Sequence, residues 1–299
     1  MTIRYIDRAT KKIEEEKIYG HRALSLFYGD SYAARLFSAL FLPIVSGVPL
    51  FSRLYGFLQK SARSRKQIAP FIETYHIDTS EFAEQSFASF NDFFIRKLKP
   101  ETRPITTDPN ALAMPADGRY LVFPDISKSP GFYVKGQYFD LASFLQNTAY
   151  AHRYAEGAMA IARLCPTDYH RFHFAADGIP SAAEPICGRL YSVNPIALRK
   201  NLSILWKNKR ALTEIETAHF GVMLYVEVGA TCVGTIHQTY RPGSGVKKGD
   251  EKGYFSFGGS CLVLLFEKES VVFDEDLIAN SRSGLETKAN FGDRLGRRR

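Results

Sequence analysis

Apolar positions along the chain change their period near residue 100. Between about residue 20 and residue 99 they recur mostly at helical spacing, and SEFAEQSFASFNDFFIRKLKP predicts the last helical piece, stopped by Pro100. From Pro104 onward the pattern becomes short alternating runs, RYLVF, AMAIARL, VMLYVEV, CVGTIHQ, YFSF and CLVLLF, separated by Gly, Pro, Asp and Asn. An α+β chain is predicted, with a helical region over 1–99 and a mostly β domain over 100–299. Two short helices, Leu141 to Leu145 and Ile196 to Leu205, interrupt the strands, and FGDRLGRRR reads as a frayed basic tail.

One strand-like run breaks its own pattern. In GYFSFGGSCLVLLFE, Gly253 to Glu267, Phe255, Phe257, Leu262, Leu264 and Phe266 suit a sheet, whereas Gly258-Gly259-Ser260 sits at its centre. A β-bulge or tight hairpin is the plain account. The chemical account needs partners for Ser260. Asp117 in MPADGR and the cluster Asp168, His170, Arg171 and His173 in CPTDYHRFH contain the required residue types. His170 and His173 point to opposite faces of a straight strand, so a shared pocket requires a bend between them. Two histidines and an aspartate are also metal-ligand types, but the spacing is not the helical i,i+4 pair and no Cys lies close, so no metal site is assigned. Asp117, one of the two histidines and Ser260 make a trio without the GxSxG turn or the Ser, Asp, His order of an α/β-hydrolase. The unshielded carbonyl of Gly259 makes the chain itself a target for Ser260.

Charge points to the partner. The formal charge is +8, from 39 Lys and Arg against 31 Asp and Glu, which favours an anionic partner. No RNP-type motif, zinc-finger spacing or long basic helix is present, so a membrane surface is preferred to nucleic acid. Leu36 to Ser52 is apolar but broken by Pro43, Gly47 and Pro49, too short for a comfortable span. Arg35, Arg53, Lys60, Arg63, Arg65 and Lys66 flank apolar residues within Leu36 to Leu58, as in helices that lie on membranes. A helical hairpin packed on its own domain is the alternative. Four cysteines without a CxxC pair, and a start without a signal-peptide core, predict a reduced, cytoplasmic setting.

Several further motifs stand in order: FNDFFIRKLKPETRPI, PADGR, VKGQYFDLASFL, ARLCPTDYHRFHF, VGATCVGTI, PGSGVKKGDEKGYFSFGGS and GLETKANFGDRLG. Together they make the chain resemble the phosphatidylserine decarboxylases, self-processing pyruvoyl enzymes of phospholipid synthesis. Two positions depart from that pattern. Cys261 follows the serine where the family usually has Thr, and Ala175 stands near a frequent Pro. Gly259-Ser260 is intact, so slower or altered processing at most is expected.

The resemblance implies a cut between Gly259 and Ser260, giving a large chain (1–259) and a small chain (260–299) that remain an interleaved heterodimer. It makes Asp117, His173 and Ser260 the self-cleavage triad. His173 takes the Ser260 proton, Asp117 orients the imidazole, and the alkoxide attacks the Gly259 carbonyl to form an ester. β-Elimination frees Gly259, and the residue left at 260 takes up water and loses ammonia to become a covalent pyruvoyl group, so pyruvate is the cofactor. That group forms a Schiff base with the phosphatidylserine headgroup and accepts electrons as carbon dioxide leaves. By the same resemblance His170 is the proton donor in decarboxylation. Asp168 and Tyr169 either shape the loop or join the chemistry. The N-terminal helices are expected to rest on an anionic membrane, as in a peripheral protein on the cytoplasmic face. Higher oligomers are left open. A lipid-binding scaffold and a conventional serine hydrolase are the competing readings, and both leave the chain uncut.

Overall fold

The computed structural model describes residues 3–29, 31–47, 49–128, 139–230, 235–256 and 260–299. Cys232, Phe257, Gly258 and Gly259 lie outside the described residues. The described residues have the expected α+β character. A ten-stranded sheet organises them, in the order Ile13–Glu15, Arg4–Asp7, Glu286–Ala289, Gly118–Phe123, Ala158–Leu164, Ser260–Phe266, Val222–Gly229, Arg210–Thr217 and Gly178–Pro180, with Glu184–Ile186 also on Arg210–Thr217. Every pairing is antiparallel except that of Arg4–Asp7 with Glu286–Ala289.

The unbroken apolar run CLVLLF is explained by burial on both faces. Leu262, Leu264 and Phe266 enter one core with Phe172, Phe174, Tyr225 and Phe255, while Cys261, Val263 and Leu265 enter a second with Phe144, Leu198 and Leu205. The second core is roofed by the short helices Leu141–Leu145, Thr148–Tyr154, Pro195–Lys200 and Ile204–Lys207. The first is closed by two three-stranded sheets. One joins Ile236–Gln238, Glu251–Phe255 and Arg171–His173; the other joins Val271–Phe273, Arg294–Arg298 and Ala111–Ala113, so the segment expected to be a frayed tail is instead a strand paired on both sides, with Leu295 buried in the core.

Three expectations from periodicity are refined. The region 1–99 contains helices His21–Tyr28, Tyr32–Gly47, Pro49–Lys60 and Ile68–Tyr75, but its first strands belong to the large sheet. The expected helix before Pro100 shrinks to Phe90–Phe94, capped by the Ser89 hydroxyl on the Asp92 N–H, a cap contributing about 1 kcal/mol. Its aromatic spacing serves a compact cluster of Phe71, Phe82, Phe87, Phe90, Phe93 and Phe94. Ile196 to Leu205 divides into two helices, with Asn201 capping the first.

Gly253 to Glu267 is not one strand. Its two halves lie in different sheets, Glu251–Phe255 in a small sheet and Ser260–Phe266 near the middle of the large one. Residues 257–259 connect them in sequence.

Candidate active site

Ser260 begins its strand with both flanks occupied, paired to Leu164 on one side and Gly229 on the other. It is fully buried, and its Oγ has no hydrogen-bond partner among the described residues. A buried hydroxyl without a partner costs stability, so its presence calls for a chemical reason. Strand alternation puts Ser260 on the face of Leu262 and Leu264, the face that packs on Phe172. Cys261 points the other way, and burial raises its thiol pKa, which keeps it from acting as a nucleophile.

The two histidines stand along the strand that pairs with Glu251–Phe255. The Phe255 N–H donates to the His170 carbonyl at 3.0 Å, and His173 pairs with Glu251. The register shifts between Glu251 and Gly253, which supplies the required irregularity in this short ladder. Gly253 has no room for a side chain, because an added Cβ would meet the His237 carbonyl and the Phe172 ring.

Backbone carbonyls fix both imidazoles. His170 Nδ1 lies 2.9 Å from the Asp168 carbonyl, and His173 Nδ1 lies 3.0 Å from that of Gly249. A carbonyl only accepts, so each Nδ1 carries the proton and each Nε2 is the basic nitrogen. His173 Nε2 accepts from the Tyr169 hydroxyl at 3.2 Å. Burial pushes the His173 imidazole down to about 4, against smaller upward pulls from the Gly249 carbonyl and the carboxylates of Glu251 and Asp117. The ring is therefore neutral at pH 7. Phe94 covers the His170 ring at 3.8 Å between centroids.

Asp117 is not hydrogen-bonded to His173. Its carboxylate takes the Arg103 guanidinium at 2.7 Å and the Phe291 N–H at 2.8 Å. The Phe291 ring in turn stacks on His173, with centroids 3.7 Å apart and planes 14° from parallel. Asp117 thus reaches the imidazole through its field and through the aromatic ring it helps to place. No group of three or more His, Cys, Asp or Glu placed to hold a metal occurs among the described residues.

A family profile described as phosphatidylserine decarboxylase matches residues 90–297. Curated proteins named phosphatidylserine decarboxylase proenzyme match almost the whole chain. One from Chlamydia trachomatis serovar L2 is 46% identical, covering 98% of this chain and 97% of the relative. Another from Chlamydia muridarum is 47% identical with the same coverage, and one from Clostridium kluyveri is 43% identical over 98% of each. The chain belongs to the phosphatidylserine decarboxylase family.

Within this family member, an apolar cavity of about 330 Å³ opens at the end of the sheet where Ser260 begins. Leu164, Cys165, Pro166 and Ala230 form one wall, beside the residues that pair with Ser260. Helix residues Leu24, Phe27, Tyr28, Leu42 and Tyr55 form the other. Sequence reasoning did not assign Arg103, Gly249 or Phe291, although all three lie in or beside motifs it quoted. Phe291 approaches Asp117 from 174 positions away and Arg103 from a separate motif 14 positions before it, and the Gly249 carbonyl is invisible to any side-chain pattern. Cys165, Cys187 and Cys261 are free thiols.

Proposed function

We propose that this chain decarboxylates phosphatidylserine to phosphatidylethanolamine, using a pyruvoyl group made from Ser260 by cleavage after Gly259. Family membership supplies the reaction class, and the buried Ser260 hydroxyl, without a hydrogen-bond partner among the described residues, supports that serine as the source of the group. The residues around position 260 fit a covalent group there, because the strand is held on both sides by backbone pairing. Such a group supplies an electrophilic carbonyl for the substrate amine and an acceptor for the electrons released with carbon dioxide. Residues of the chain do the rest. His173, held neutral by burial, accepts the Ser260 proton at Nε2 once the Tyr169 hydroxyl turns away. His170 holds its proton-transferring nitrogen at Nε2 by donating Nδ1–H to Asp168, and serves the substrate carbon.

The two fragments remain interleaved after the cut. Ser260–Phe266 lies between Ala158–Leu164 and Val222–Gly229, and Glu286–Ala289 pairs with Arg4–Asp7 and Gly118–Phe123. An intact mass spectrum of purified enzyme should show one piece ending at Gly259 and one of 40 residues beginning at 260. A single full-length mass in active material would overturn the proposal.

The substrate's apolar part reaches this site from a membrane surface. No described helix is long and apolar enough to cross a bilayer. Yet Leu36, Leu40 and Phe41 on one helix and Leu54, Phe57 and Leu58 on the next are exposed, Phe57 to 71%, with Arg35, Lys60, Arg63, Arg65 and Lys66 also exposed. These helices also wall the apolar cavity that is lined by Leu164, the residue paired with Ser260. Exposed leucines and phenylalanines rimmed by cations fit an anionic lipid interface. Leu40→Asp with Phe57→Asp should reduce binding to phosphatidylserine-containing vesicles by about tenfold or more while leaving self-cleavage intact. Unchanged co-sedimentation would assign the helices to packing alone.

A further inference from the structure

Away from both histidines, the chain buries an ion pair completely. The Lys252 ammonium and the Glu227 carboxylate are fully inaccessible and 2.5 Å apart. Lys252 uses its remaining donors on Thr213 Oγ1 and Gln238 Oε1, each at 2.9 Å. Its charge also lies 4.9 Å from the ring centres of Tyr225 and Tyr240. Removing two charges from water costs several kcal/mol per ion, so such a pair is a poor device for stability alone. Burial draws the Lys252 pKa down and the Glu227 pKa up, each opposed by the partner's charge.

The placement of the pair suggests its use. Lys252 is the extra residue of the bulge, the one between Glu251, which pairs with His173, and Gly253, which pairs with Phe172. A bulge re-aims the side chain it carries. Here it sends Lys252 from the small sheet that bears His173 into the large sheet that bears Ser260. Glu227 pairs directly with Leu262, two positions beyond Ser260, and Tyr225 pairs with both Leu264 and Thr213. Cross-strand partners share a face, so Glu227, Thr213 and Ser260 lie on one side of the large sheet. One ammonium thereby joins the strands Arg210–Thr217, Val222–Gly229 and Ile236–Gln238 to its own.

We propose that Lys252 and Glu227 are positioning residues for both maturation and turnover: the pair pins the bulge and so sets His173 and His170 in register with residue 260. The idea rests on the assignment of Ser260 and adds a determinant of its alignment. At this place the Tyr225 hydroxyl is left without a hydrogen-bond partner among the described residues. An unsatisfied polar group adds to the cost of burying the pair, which again argues that the pair is not kept for stability.

The test uses the full chain and separates folding from alignment. A single Lys252→Met strands a buried carboxylate, and its loss of stability would be uninformative. The double variant Lys252→Met with Glu227→Gln removes both charges at nearly constant volume. It should fold with a melting temperature close to that of the parent. Its first-order rate of self-cleavage, measured per folded molecule, should fall on the order of 10- to 100-fold, as expected for small misplacements of reacting groups. After maturation kcat should fall while KM for vesicle substrate holds, since the lipid-facing helices are untouched. A folded double variant that cuts and turns over at the parental rate would overturn the proposal. If the double variant does not fold, Lys252→Gln with Glu227→Gln replaces it under the same criterion. Ser260→Ala is the independent control: cutting in that variant would defeat the Ser260 assignment itself, whatever the pair does.

Discussion

Ser260→Ala should yield one uncut chain with no decarboxylase activity and an undiminished melting temperature. The variant deletes a single buried oxygen that makes no hydrogen bond among the described residues, so folding loses no partner and sheds an unsatisfied group. The strand keeps its pairing to Leu164 and Gly229. Only the chemistry is lost, because alanine supplies neither nucleophile nor precursor of the prosthetic group. The check combines denaturing electrophoresis, thermal unfolding and carbon dioxide release from phosphatidylserine vesicles. Residual turnover in an uncut chain would move the electrophile elsewhere, and a large fall in melting temperature would show that the hydroxyl has a structural bond after all.

His173→Ala should remain uncut, whereas His170→Ala should cut and then fail to decarboxylate. The structure gives this separation a pH signature. Burial lowers His173 from 6.5 to about 4, so the neutral base is already fully formed at pH 7. Cleavage per folded molecule should therefore stay level from about pH 8 to about pH 5 and decline below that. The linkage has the same sign. Folded His173 binds its proton less readily than unfolded His173, so its contribution to stability is complete above 6.5 and disappears as pH falls toward 4. A cleavage rate that halves near pH 6.5 would mean an exposed base. Normal cutting in His173→Ala together with failed cutting in His170→Ala would exchange the two roles while preserving the reaction class.

The strands of the β domain were readable because burial on alternate or both faces leaves a direct imprint. AMAIARL and CLVLLF appear as Ala158–Leu164 and as part of Ser260–Phe266. The N-terminal strands were not readable. Ile13–Glu15 is the edge strand, where polar residues are tolerated, and Arg4–Asp7 lies just inside it, ordered by pairing with Glu286–Ala289 more than 270 positions on in sequence. The helical texture before Pro100 was misleading in length, since phenylalanines spaced for a helix also suit an irregular aromatic cluster. At the site, residue types were visible and their bonding was not. Asp117 and His173 could be selected from short motifs, but the carbonyl that orients His173 belongs to Gly249, a residue with φ of +91° at a turn 76 positions away. Lys252 was equally hidden, because a lysine in a strand ordinarily faces water.

The sheet order also imposes a sequence of events during synthesis. Ser260–Phe266 needs strands that have already emerged on both sides, but Glu286–Ala289 must arrive later to join Arg4–Asp7 to Gly118–Phe123. Pairings this distant form slowly, and Phe291, whose ring stacks on His173, follows the last strand in sequence to join the large sheet. Self-cleavage is expected to wait until that strand is in place. On that expectation a nascent chain that has only just exposed its serine lacks the ring that stacks on His173, and the fold acts as its own timer.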